Sequence, residues 1–92
     1  MLSETFKALG DPTRREILRR LNDGDLAAGE IAAAFDISAP SVSHHLNVLK
    51  QAGLVTSQRN GQSIIYSLNS TVVQEFIQEL LEFFNVGEAS DA

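Results

Sequence analysis

A chain of 92 residues, 43% of them hydrophobic, has room for one domain around one core. The absence of cysteine excludes disulfide staples, thiolate metal ligands and thiol redox switches, and it fits a cytoplasmic protein. The formal net charge of −5 argues against a general polyanion binder, and no stretch approaches the ~20 apolar residues of a membrane span.

The N-terminus carries no basic region followed by an apolar run, so export by that route is not expected. A first helix is predicted over Ser3 to Leu9, with Leu2, Phe6 and Leu9 on one side and Gly10 as its end. Asp11-Pro12 then reads as an N-cap followed by proline at the first helical position. The second helix runs Pro12 to Leu21 with Ile17, Leu18 and Leu21 facing inward, and Asn22-Asp23-Gly24 stops it. A short, alanine-rich third helix covers Ala28 to Phe35, anchored by Ile31 and Phe35. Ala27 stands three residues before Glu30, where a capping box would have Ser or Thr, so half of that reciprocal cap is missing.

After Asp36-Ile37, Ser38 is the N-cap of a fourth helix, Ala39 to Ala52, with Gly53 as its stop. Pro40 has no N–H to offer, so the Ser38 hydroxyl is expected to cap Ser41. Strands over Leu54 to Arg59 and Gln62 to Leu68 flank Asn60-Gly61, the signature of a two-residue type I′ hairpin. A last helix runs from about Thr71 to Phe84 with Asn69 or Ser70 as cap, ending near Val86-Gly87. The predicted fold is mainly α with a β-hairpin (α+β): a winged helix-turn-helix of five helices and a two-stranded wing. Residues 1–86 form the domain, with the helix-turn-helix at about 27–53, the wing at 54–68, dimerisation helices at 2–9 and 70–85, and a flexible tail at 87–92.

On the fourth helix, a turn of about 100° per residue puts Val42, Leu46 and Leu49 in one stripe, with His45 at its edge. The opposite face holds Pro40, His44, Asn47 and Gln51, bordered by Ser41, Ser43 and Val48, and none of these is charged. A solvated helix face would carry more lysine and glutamate, whereas small neutral hydrogen-bonding side chains suit base edges in a groove. A helix, a short turn, a second amphipathic helix and a hairpin is the arrangement that sets the second helix in the major groove of DNA. The free N–H groups of Ala39 and Ser41 could meet a phosphate. Arg59, beside the hairpin turn, reads either as a contact to phosphate or minor groove or as a solvated arginine. His45 reads as a satisfied histidine at the core's edge or as a base contact.

Charge distribution removes most of the objection from the net charge. Residues 1–68 hold seven acidic and seven basic side chains, and the excess is Glu75, Glu79, Glu82, Glu88 and Asp91. Between Ile37 and Leu68 the only charges are Lys50 and Arg59, so that surface can approach a polyanion without repulsion of its own. The last helix offers two apolar columns, Val72, Phe76, Leu80 and Phe83 beside Val73, Ile77, Leu81 and Phe84, wider than one core contact needs. With Leu2 and Phe6 of the first helix, this excess marks a homodimer interface centred on Phe76, Leu80, Phe83 and Phe84. A dimer would set two recognition helices about 34 Å apart.

Asp11-Pro12-Thr13-Arg14-Arg15-Glu16-Ile17-Leu18, Gly29-Glu30-Ile31-Ala32, Ser41-Val42-Ser43-His44-His45-Leu46-Asn47-Val48-Leu49 and Ala52-Gly53-Leu54-Val55 together resemble the ArsR/SmtB family of winged-helix repressors. Arg59-Asn60-Gly61-Gln62 and Tyr66-Ser67-Leu68 fit as well, and the short, thiol-free form looks most like the SdpR-like autorepressor branch. The resemblance implies a homodimeric repressor on an inverted-repeat operator in double-stranded DNA, released by an inducing small molecule or a protein partner. The expected DNA contacts are Ser38, Pro40, Ser41, Ser43, His44, Asn47, Arg59 and Gln62. No cofactor is expected. Many members sense metals through cysteines or through Asp and His on the last helix, but here the only histidines, His44 and His45, are adjacent and point about 100° apart, so no metal site is expected. No nucleophile, base and orienter grouping is present, and no phosphate-binding glycine loop, which argues against an enzyme. The alternative reading is a winged-helix protein-interaction module without DNA binding.

Overall fold

The computed structural model describes residues 2–84, and for Leu2 the backbone alone. The expected tail at 87–92 lies outside the described residues, as do residues 85 and 86 of the expected domain. The elements are α1 (Leu2–Leu9), α2 (Pro12–Asn22), β1 (Leu26–Ala27), α3 (Ala28–Ala33), α4 (Ala39–Gln51), β2 (Val55–Asn60), β3 (Ser63–Leu68) and α5 (Ser70–Phe84). This is the expected winged helix-turn-helix, with one strand more than the sequence shows.

Local chemistry fixes most of the boundaries. Asp11 caps α2, its carboxylate accepting the N–H groups of Thr13 at 2.8 Å and Arg14 at 3.3 Å. At the far end of α4, Gly53 N–H donates to Lys50 O and Leu54 N–H to Leu49 O, both at 3.0 Å. This is a Schellman closure, and Gly53 takes the left-handed φ of 79° that it requires. Asn69 caps α5 by accepting Val72 N–H at 3.4 Å. The third helix is shorter than expected, stopping at Ala33. There Ala34 N–H turns back to Ile31 O and Phe35 N–H to Ala32 O, a tightened last turn that leads into Asp36-Ile37.

The sheet is antiparallel in the order β1-β3-β2. Leu26 pairs with Tyr66 and Ala27 with Ile65, a two-residue strand too short to leave an alternation signal. The hairpin turn sits one residue later than expected. Asn60 stays in the ladder opposite Ser63, and the loop is Gly61-Gln62, with Gly61 at φ 66°. That register sets Val55 opposite Leu68, and Asn69 N–H extends the ladder to Leu54 O at 2.9 Å.

The core joins Ala8, Ile17, Leu21, Ile31, Val42, Leu46, Leu49, Leu54 and Val55, drawn from α1 to α4 and from the start of the wing. Helix α5 contributes only from its side, through half-buried Val72 and Val73, and none of its residues is buried.

Candidate nucleic-acid interface

Val42, Leu46 and Leu49 are buried, and this fixes which side of α4 faces outward. Pro40, Ser41, Ser43, His44, Asn47 and Gln51 are all exposed, as Ser38 is at the helix start. The cap forms as expected: Ser38 Oγ accepts Ser41 N–H at 3.2 Å and donates to Ser41 Oγ at 2.9 Å, so the Ser41 N–H is taken by the cap and not free for a phosphate. Six of the eight expected DNA contacts thus lie along one uncharged outer surface. Arg59 and Gln62 are exposed at the wing tip, a separate element, where Arg59 Nη1 reaches the Gly61 carbonyl at 3.5 Å.

The arginines of α2 are engaged elsewhere, which the sequence does not reveal. Arg14 donates from Nε to Ala8 O at 2.6 Å and from Nη2 to Lys7 O at 3.0 Å, and Arg15 donates from Nη1 to Leu9 O at 2.7 Å. The two guanidinium groups thereby meet the last carbonyls of α1, of which Lys7 O also accepts the Gly10 N–H at 3.2 Å. Arg19 and Arg20 both pair with Glu16, at 2.9 and 3.4 Å, and Arg20 also lies over the Phe35 ring, 5.5 Å from its centroid. Lys50 and Arg59 remain as the cations of the 37–68 surface.

His45 is half-buried, and its Nδ1 lies 3.0 Å from Arg14 Nη1. Of its two open readings, the satisfied histidine at the core's edge is the one the geometry gives. The His44 and His45 ring centroids are 5.8 Å apart with the planes at 55°. Among the described residues no three metal-ligating side chains converge.

On the other side of the molecule, α1 and α5 leave apolar surface uncovered. Phe6, Ile77, Leu81, Phe83 and Phe84 are exposed, while Phe76 and Leu80 are half-buried. Between α2 and α5 an open groove of about 380 Å³ runs over Leu18, Leu54, Leu68, Val73 and Ile77, with Arg15 and Arg19 on its rim. Of the expected dimer residues, the Leu2 side chain is outside what is described. Among the described residues no helix is long and apolar enough to cross a membrane.

Residues 11–57, from the α2 cap into the wing, match the family described as "Bacterial regulatory protein, arsR family". The transcriptional repressor SdpR of Bacillus subtilis (strain 168) is 54% identical over 87 residues, which cover 95% of this chain and 97% of that protein. An arsenical resistance operon repressor of Staphylococcus xylosus is 37% identical over 87 residues, covering 95% of this chain and 83% of its own. Among solved structures, an ArsR-like transcriptional regulator from Rhodococcus sp. RHA1 matches with a TM-score of 0.82 at 31% identity, covering 98% of this chain and 84% of that one. A winged helix with these relatives along nearly its whole length is a regulator and not an enzyme, and the chain belongs to the arsR family of bacterial regulatory proteins.

Proposed function

We propose that the protein is a transcriptional repressor that binds an inverted-repeat operator in double-stranded DNA as a homodimer, acting in the cytoplasm. Each protomer lays the outer face of α4 in the major groove, where Ser38, Pro40, Ser41, Ser43, His44 and Asn47 meet base edges and phosphates. Arg59 and Gln62 bring the wing tip to the neighbouring backbone or minor groove. The observation that carries this reading is the uncharged, hydrogen-bonding outer face of α4, held between the Ser38 cap and the Schellman closure at Gly53. The similarity to two proteins named as repressors supports the direction of control.

The test is a band-shift titration on DNA from upstream of the protein's own gene, repeated across salt concentrations. With Lys50 and Arg59 of each protomer as the phosphate contacts, log affinity falls against log salt with a slope of about −3.6. Sequence-selective retardation of that size supports the proposal. Loss of selectivity, with equal affinity for operator and scrambled duplex, overturns it in favour of a protein-interaction module, a reading that the net charge of −5 favours.

A further inference from the structure

Arg14 on α2 reaches both α1 and α4 through hydrogen bonds. Its Nε and Nη2 donate to the Ala8 and Lys7 carbonyls, and its Nη1 lies 3.0 Å from His45 Nδ1. A guanidinium has only donors, so His45 Nδ1 is the acceptor and the neutral ring carries its proton on Nε2. His45 itself sits on α4 one residue before buried Leu46, its side chain turned away from the outer face that holds His44 and Asn47. All three nitrogens of one planar, rigid group are thus engaged, two at the end of the first helix and one at the middle of the fourth.

We infer that Arg14 and His45 are positioning residues that set the recognition helix at a fixed angle to α1, and so fix the spacing of operator half-sites that a dimer accepts. This rests on the proposed DNA-binding dimer, in which α1 belongs to the interface and α4 to the groove. A dimer holds its α1 helices fixed in the interface, so any play between α1 and α4 appears at the DNA as play in the distance between the two recognition helices. The hydrophobic contacts beneath α4 resist its lifting but are non-directional, whereas the Arg14 to His45 hydrogen bond has a direction and resists rotation.

The experiment uses a duplex enriched by the wild-type protein from a random-sequence library, and the same duplex with one base pair added or removed at its centre of symmetry. Three proteins are compared: wild type, His45→Asn, whose Oδ1 replaces the Nδ1 acceptor, and His45→Leu, which fills the site without one. Wild type and His45→Asn are expected to prefer the enriched spacing. His45→Leu is expected to lose about tenfold of that preference, the worth of one hydrogen bond to a charged group. A residue that served only stability would weaken binding to all three duplexes alike and leave their ratio unchanged, and that result overturns the inference. Imidazole nitrogen spectra give a check that needs no DNA: a proton on His45 Nδ1 in mildly alkaline solution also overturns it. Enrichment of no duplex refutes the DNA-binding reading itself, whereas an enriched duplex bound with equal spacing preference by all three proteins refutes the link alone.

Discussion

The rings of Phe6 and Phe76 meet edge to face, their centroids 5.5 Å apart and their planes at 79°, and they tie the first helix of the chain to the last. The contact does not cover them: Phe6 remains 52% exposed, and further along α5 Phe83 and Phe84 are 71% and 64% exposed. In the proposed dimer, this aromatic pair and the bare phenylalanines beyond it form one half of the contact between two copies. Each phenylalanine kept from water contributes about 1.5 to 3 kcal/mol. Phe83→Ser combined with Phe84→Ser is therefore expected to weaken self-association by orders of magnitude while leaving the helix content of the protomer intact. Light scattering coupled to gel filtration reads the outcome, and a wild-type protein that is monomeric at micromolar concentration contradicts the proposed interface.

At the opposite side, Ser43→Ala and His44→Ala remove exposed groups that make no contact with the core. Each is expected to weaken binding to the selected operator by roughly 1 to 3 kcal/mol, with little change in affinity for random DNA. The melting temperature of each variant should match that of the wild type. A parallel loss on specific and random DNA would instead assign these side chains to phosphates.

The third helix offers a gain in stability. Glu30 Oε1 already accepts the Ala27 N–H at 2.8 Å, but the Ala27 methyl cannot return the bond. Ala27→Ser supplies the missing acceptor and should stabilise the fold by about 0.5 to 2 kcal/mol. Urea denaturation measures this, and an unchanged midpoint would mean that the strand pairing of Ala27 with Ile65 holds the new hydroxyl away from the cap.

Acid sensitivity should centre on Asp11. Burial raises the pKa of its carboxyl, but the N–H groups of Arg14 and Thr13, with the nearby Arg14 charge, lower it by more, so the net value lies below the usual 3.8. A group depressed in the folded state stabilises it above the unfolded pKa, and that stability is lost as pH falls through the folded value. Asp11→Asn keeps a competent cap but cannot titrate. Its stability should vary less than that of the wild type below about pH 4, as read from urea midpoints at several pH values. Parallel profiles for the two proteins would move the acid sensitivity to other carboxylates.

The parts of this fold that were legible in the sequence are those with local chemical causes. Asp11-Pro12, Ser38, Gly53 and Asn69 set helix ends through bonds spanning a few residues, and the stripe of Val42, Leu46 and Leu49 told which side of α4 would face outward. What was hidden depends on pairing between distant residues. Leu26-Ala27 becomes a strand only because Ile65 and Tyr66 lie beside it. The turn at Gly61-Gln62 is decided as much by Val55 meeting Leu68 as by the Asn60-Gly61 dipeptide. Arg14 looks like any surface arginine until the end of α1 and His45, 31 residues further along, close on it from two sides. Nothing in the helical periodicity of α2 marks Arg14 as different from Arg19.

The stretch from Ile37 to Leu68, free of acids and holding only Lys50 and Arg59, has a further consequence for a DNA-binding protein. Affinity for arbitrary duplex grows with the number of phosphates neutralised, and here few are. Such a protein spends little of its time parked on the rest of the chromosome and scans it by brief collisions more than by long slides. A small number of molecules can then keep one promoter occupied, because few are lost to the rest of the duplex.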